Sequence, residues 1–133
     1  MAIADKHGLP LAVHVCSATP HEVRLVEDTL KNSLIDQLPV NLIGDKAYDS
    51  DELDQKLKDK YGISLIAPNR KKRNKSQDGR KLRRYCRRWK IERMFSWLHN
   101  FRHIRVRDDY YPENYLSMIY MAISIIFLRM IVR

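Results

Sequence analysis

Cysteine is scarce in this chain, with two among 133 residues. Cys16 and Cys86 have no partners at metal-ligand spacing, so neither a zinc site nor a disulfide framework is expected. No secretory leader precedes them, and a reduced, cytoplasmic setting is the simplest expectation. Acid is the second shortage: 16 Asp plus Glu face 25 Lys plus Arg, for a formal net charge of +9. Such a surplus favours a polyanionic partner, either nucleic acid or an anionic membrane surface. A membrane-length apolar run is also lacking, because the stretch from Leu116 to Leu128 falls short of the ~18 residues a span needs and Arg129 follows it. A core helix is expected there, and no membrane association. No internal repeat is present, and the length suits a single domain over 1–133.

Taken in order, the chain alternates strand and helix. Met1 to Asp5 and Leu11 to Ser17 read as two strands around a Lys6-His7-Gly8 turn. Thr19, with Pro20 next and Glu22 three residues on, fits a capping box for a helix ending before Pro39. Val40 to Ile43 is a short apolar strand with Gly44-Asp45 at its carboxyl end, where open α/β sheets bind ligands. A charged helix from Ser50 to Tyr61 closes at Gly62, with Asp49, Asp51 and Glu52 as first-turn acids, and Ile63 to Ala67 is another buried strand. His14 and His21 lie outside any ligand spacing and read as structural.

From about 69 to 84 the chain becomes intensely basic, through Arg70, Lys71, Lys72, Arg73, Lys75, Arg80, Lys81, Arg83 and Arg84 against the single acid Asp78. Almost nothing apolar accompanies these cations, so a loop ordered by an anion is expected, and DNA phosphate is the natural anion. The alternative is a solvated charge run.

A helical run follows, from Tyr85 to His99. At about 100° per residue Tyr85, Arg88, Glu92 and His99 fall within roughly 60° of one another and face one side. Ile91, Met94, Phe95 and Leu98 form the adjoining core stripe. An ordinary i,i+4 ion pair accounts for Arg88 and Glu92, though not for the whole set.

The spacing Tyr85-(2)-Arg88-(3)-Glu92-(6)-His99 resembles the Tyr-(2)-Arg-(3)-Glu-(6)-Lys signature of DDE-type transposases from bacterial insertion sequences, with His99 in place of the Lys. Leu42-Ile-Gly-Asp45-Lys-Ala-Tyr48-Asp49-Ser50 similarly resembles the segment carrying the second catalytic aspartate. The two motifs stand in the right order with the basic segment between them.

The resemblance implies an α/β, ribonuclease-H-like catalytic fold, and Asp45 and Glu92 as ligands of Mg²⁺ or Mn²⁺ in metal-dependent DNA cleavage and strand transfer. Tyr85, Arg88 and His99 would support them. Judged by residue type alone, Asp45 after Gly44 is more often than not only a turn residue. Matched to the family's order, the two opening strands correspond to the second and third strands of the sheet. The first strand, central in that sheet, and its Asp are expected to be missing; Asp5 sits by the turn and does not take the role. The chain then resembles the carboxy-terminal product of a transposase split over two reading frames, inactive alone. An upstream segment supplies the first Asp, the partner is DNA at the element's ends and target, and the assembly on DNA is a homo-oligomer near the nucleoid. The competing reading is a non-catalytic DNA-binding fragment that regulates full-length transposase.

Overall fold

The computed structural model describes residues 1–17, 19–70, 77 and 79–132, with the backbone alone at Arg80 and Lys81. Strands β1 (Ala2–Ala4) and β2 (Pro10–Val13) pair antiparallel. Strands β3 (Asn41–Ile43) and β4 (Ser64–Ile66) pair parallel and in register, Leu42 opposite Leu65. A parallel pair needs a crossover, and α2 (Asp51–Tyr61) supplies it. The helices are α1 (Glu22–Lys31), α2, α3 (Gly79–Leu82), α4 (Trp89–Leu98), α5 (Arg102–Arg105) and α6 (Pro112–Ile131). Mixed strands and helices of this kind make an α/β chain.

Strand alternation explains the layering. Ile3 and Ala12 are cross-strand partners and point to one face, into a core with Val26 and Leu30 of α1, Leu53 and Leu57 of α2, and Ile63. Val13 points to the other face and meets Met94 and Leu98 of α4, Ile104 of α5, and Ile119, Ala122, Ile123 and Ile126 of α6. Helices therefore cover both sides of the β1–β2 pair. The β3–β4 pair joins the first of these cores through Leu42 and Leu65, yet forms a sheet of its own.

Local chemistry sets the ends of the elements, and in two places it differs from expectation. Ser50 caps α2 as its Oγ accepts from Leu53 N at 3.3 Å, and Gly62 closes it at φ 66°. Helix α1, however, begins at Glu22, two residues later than a Thr19 cap would place it. His21 is the cap, its Nδ1 accepting from Val23 N at 3.3 Å. The helix ends at Lys31, well short of Pro39, because Asn32 and Ser33 turn the chain so that Ser33 bridges Ala12 and Leu34 N donates to Leu11 O.

Helix α6 is 20 residues long with a mean hydropathy of 1.6 over its most apolar window, so by length and composition it is able to cross a membrane. Its Ile119, Ala122, Ile123 and Ile126 are nonetheless buried in the core with α4, as expected of a core helix. The opposite side, with Met121 and Leu128, is exposed.

Candidate functional site

Asp45 leaves β3 directly into a 3₁₀ turn, Lys46–Tyr48, and caps it: Oδ1 accepts from Ala47 N at 2.8 Å. The turn role suggested by residue type is therefore present. Gly44 is required beside it, since a Cβ there would lie 2.9 Å from the Tyr48 ring. That ring is half-buried, and burial, aided by the Glu22 and Asp45 carboxylates, pushes the Tyr48 phenol up to about 12. Tyr48 stays protonated at neutral pH, and its ring packs against the core behind the turn.

Glu92 lies in the first full turn of α4, exposed to solvent. The sequence pattern placed Tyr85 to His99 on one α-helix. Instead Arg83–Arg88 is a 3₁₀ stretch, and α4 starts at Trp89. With three residues per turn, Tyr85 and Arg88 come into line on that stretch. Arg88 Nη1 donates to the Tyr85 hydroxyl at 3.1 Å, and its guanidinium lies 5.5 Å from the Tyr85 ring centroid. The same guanidinium reaches Glu92 Oε1 at 3.7 Å. Tyr85, Arg88 and Glu92 are thus one chain of contacts, reached by a different helical geometry from the one expected.

His99, at the end of α4, shares with Glu92 an open depression of about 660 Å³, completed by Phe95, Ser96, Asn100 and Arg105. Phe95 is 40% exposed and lines this depression, so it does not belong to the core stripe. Met94 and Leu98 do, and Ile91 packs partly against them.

The orientation of α4 is fixed by cations that the sequence reading left unassigned. Lys90 Nζ and Arg93 Nη2 donate to the Lys6 and His7 carbonyls in the β1–β2 turn. Arg93 is held between two indoles, its guanidinium 4.9 Å from the ring centroids of both Trp89 and Trp97. The signal was in the sequence, as residues four before and four after Arg93 share its side of a helix. Asp5 belongs to the same turn, its Oδ1 accepting from His7 N and Leu9 N at 2.7 Å each, which confirms its structural role.

The expected basic loop over 69–84 is helical from Gly79 onward. Arg83 and Arg84 are exposed on the 3₁₀ stretch. Arg70 is committed to the turn after Asp45, donating through Nε to Lys46 O at 3.2 Å and through Nη2 to Ala47 O at 2.9 Å. Asp49 also departs from its expected role as a helix-start acid, because its Oδ2 accepts from Arg70 N at 2.8 Å. Lys71, Lys72, Arg73, Lys75 and the side chains of Arg80 and Lys81 lie outside the described residues.

Strand β3, which precedes the Asp45 turn, packs against the 3₁₀ stretch that leads into the helix carrying Glu92. As hard oxygen donors the two carboxylates suit Mg²⁺ or Mn²⁺ in kind. In number they do not close a site, for among the described residues no group of three His, Cys, Asp or Glu is placed to hold a metal ion.

The Transposase DDE domain family matches residues 1–127, and the chain belongs to that family. Among its relatives, it is 30% identical to a Burkholderia cepacia protein named as a transposase for insertion sequence element IS402, across 80% of this chain and 51% of the relative. The chain thus spans about half the length of that curated relative. No solved structure matches.

Proposed function

We propose that this chain is the carboxy-terminal part of a transposase catalytic domain of ribonuclease-H-like fold, cutting and joining DNA when complete. The observation that carries this reading is the contact of strand β3, which ends two residues before Asp45, with the 3₁₀ stretch that leads into the helix of Glu92. Family membership supports the same assignment. In this reading Asp45 and Glu92 would be two of the carboxylates that hold divalent metal, which when bound would supply Lewis-acid activation for phosphodiester cleavage.

The chain's own groups orient and hold. Arg88 sits between the Tyr85 hydroxyl and Glu92, so it keeps the carboxylate extended from the helix. The ion pair is exposed and contributes only ~0.5 kcal/mol, so its effect is on direction more than stability. His99 and Arg105 line the same depression as Glu92, and in this reading they contact a DNA phosphate. His99 stands where the resembled signature has Lys and keeps a hydrogen-bonding group there. Lys71, Lys72, Arg73, Lys75, Arg80, Lys81, Arg83 and Arg84 supply salt-dependent DNA backbone contact.

A first Asp on a further strand completes the acids. Two separate two-stranded sheets that share one core support a strand missing between them. On this reading the upstream segment supplies it, the isolated chain does not cut, and the active form is a cytoplasmic homo-oligomer on DNA.

The test is nicking of DNA bearing the element's ends in Mg²⁺ or Mn²⁺, by this chain alone and by the chain joined in frame to its upstream coding segment. Cleavage by the joined protein, abolished in Asp45→Ala and Glu92→Ala, is the expected result. Cleavage by this chain alone refutes the missing acid, and undiminished cleavage by Asp45→Ala refutes the metal role. That no three His, Cys, Asp or Glu are grouped to hold a metal among the described residues favours one second reading, a DNA-binding fragment that regulates the complete transposase. Under it, DNA affinity survives both substitutions and no form cuts.

A further inference from the structure

We propose that Arg70 is a positioning residue for Asp45, locking the turn that presents this carboxylate instead of contacting DNA as its neighbouring cations do. The inference rests on the functional role given to Asp45 above.

Strands β3 and β4 are parallel and in register, so both chains leave the sheet at the same edge. Four residues beyond β4, Arg70 therefore comes alongside the turn that follows β3. Three hydrogen bonds join them: the Arg70 backbone N–H donates to Asp49 Oδ2 at 2.8 Å, Nε to Lys46 O at 3.2 Å and Nη2 to Ala47 O at 2.9 Å. The planar fork spans two successive carbonyls and fixes their relative orientation, which one ammonium group does not do.

The link to Asp45 is a single residue. Ala47 has its N–H held by Asp45 Oδ1 at 2.8 Å and its C=O held by Arg70 at 2.9 Å. A rotation of the peptides around Ala47 that breaks one bond disturbs the other. Tyr48, which packs on Gly44, closes the turn with its own N–H on Asp45 O at 3.1 Å. Arg70 thus completes a frame around the Asp45 side chain from the strand next door. Its guanidinium is already engaged by two carbonyls, so its direction is set by the turn.

Amide exchange, DNA titration and cleavage test this together. In the full chain, Arg70→Ala speeds exchange of the Ala47 amide about tenfold and leaves the α6 core amides unchanged. DNA affinity and its salt dependence stay as in the unsubstituted chain, whereas Arg83→Ala lowers the salt slope by about 0.9, as loss of one phosphate contact requires. Arg70→Lys keeps the charge without the fork and loosens Ala47 in the same way. In the protein joined to its upstream segment, both Arg70 variants lower the cleavage rate at saturating DNA by about 10- to 100-fold, with half-saturating DNA unchanged.

The proposal is overturned by unchanged exchange at Ala47, by Arg70→Lys restoring exchange and cleavage, or by a salt slope that falls by about 0.9 in Arg70→Ala. A joined wild-type protein that cuts nothing refutes the transposase reading instead. Exchange and DNA titration then decide by themselves whether Arg70 locks the turn or contacts phosphate.

Discussion

Gly8 offers the sharpest test of how the helix bearing Glu92 is held in place. Its φ of +80° lies in the left-handed region, and a Cβ added there meets Arg93 Nη2 at 3.0 Å, Lys90 O at 3.1 Å and Arg93 Nε at 3.2 Å. Arg93 has little room to withdraw, since Trp89 and Trp97 flank it and its Nε is already buried without a hydrogen-bond partner among the described residues. For Gly8→Ala the left-handed backbone costs ~1–2 kcal/mol and overpacking ~1–3 kcal/mol, against ~0.4–1 kcal/mol gained by restricting the unfolded chain. A net loss of about 2–3 kcal/mol is expected.

A double-mutant cycle in urea separates the two costs. With Arg93→Ala as background the crowded guanidinium is gone, and Gly8→Ala should cost only about 1 kcal/mol, giving a coupling of 1 kcal/mol or more. The substitution should also loosen α4 at its amino-terminal end, seen as faster amide exchange around Glu92 with unchanged exchange in α1 and α2. A cost within about 0.5 kcal/mol of zero, or the same cost in both backgrounds, refutes the clamp between the β1–β2 turn and α4.

Three further outcomes follow from packing, charge and capping. Met94 is fully buried between β2 and α6, so Met94→Ala should lose ~2–5 kcal/mol in urea unfolding, whereas Phe95→Ala, lining the open depression, should lose under ~1 kcal/mol. Glu27 receives Lys56 and Lys60, both at 2.5 Å, and the Tyr61 hydroxyl at 3.1 Å, which lower its pKa from 4.5 to about 2. Because the folded value is the depressed one, the stabilisation is complete above pH 4.5 and is lost as pH falls towards 2. Glu27→Gln should therefore lower thermal stability at pH 7 and flatten its pH dependence across that window. Ser50→Ala, which removes the cap of α2, should cost ~1 kcal/mol by the same urea assay, and Ser50→Asn should restore most of it.

Much of the site was legible because its chemistry is carried by residue type and spacing. Tyr85, Arg88 and Glu92 are in contact, and Glu92 and His99 line one depression, as the single-face reading required. Their helical form was not legible. A run of Arg-Arg-Tyr-Cys-Arg-Arg offers no capping residue and no apolar stripe to distinguish 3₁₀ from α, and packing against β3 accompanies the tighter form. The His21 cap was missed for a related reason. Thr19, Pro20 and Glu22 satisfy the sequence rule for a cap, but only the path of the chain out of β2 settles which residue turns it. Arg70 was read with the cations expected to contact DNA and Arg93 was given no role, and both donate to backbone carbonyls of the chain itself.

By itself, then, the sequence determined the βαβ order around Asp45, the core side of α4 through Met94 and Leu98, and the acids on which the proposed chemistry depends. These are local properties: periodicity, turn residues and charge act within a few positions along the chain. The tertiary structure decided that Arg70, Lys90 and Arg93 are bonded to backbone carbonyls, how the Asp45 turn is held from beyond the neighbouring strand, and that the strands form two pairs sharing a core. Each of these depends on groups brought together from far along the chain, as Arg70 is to Ala47 and Arg93 to Gly8, and no local pattern encodes such a meeting.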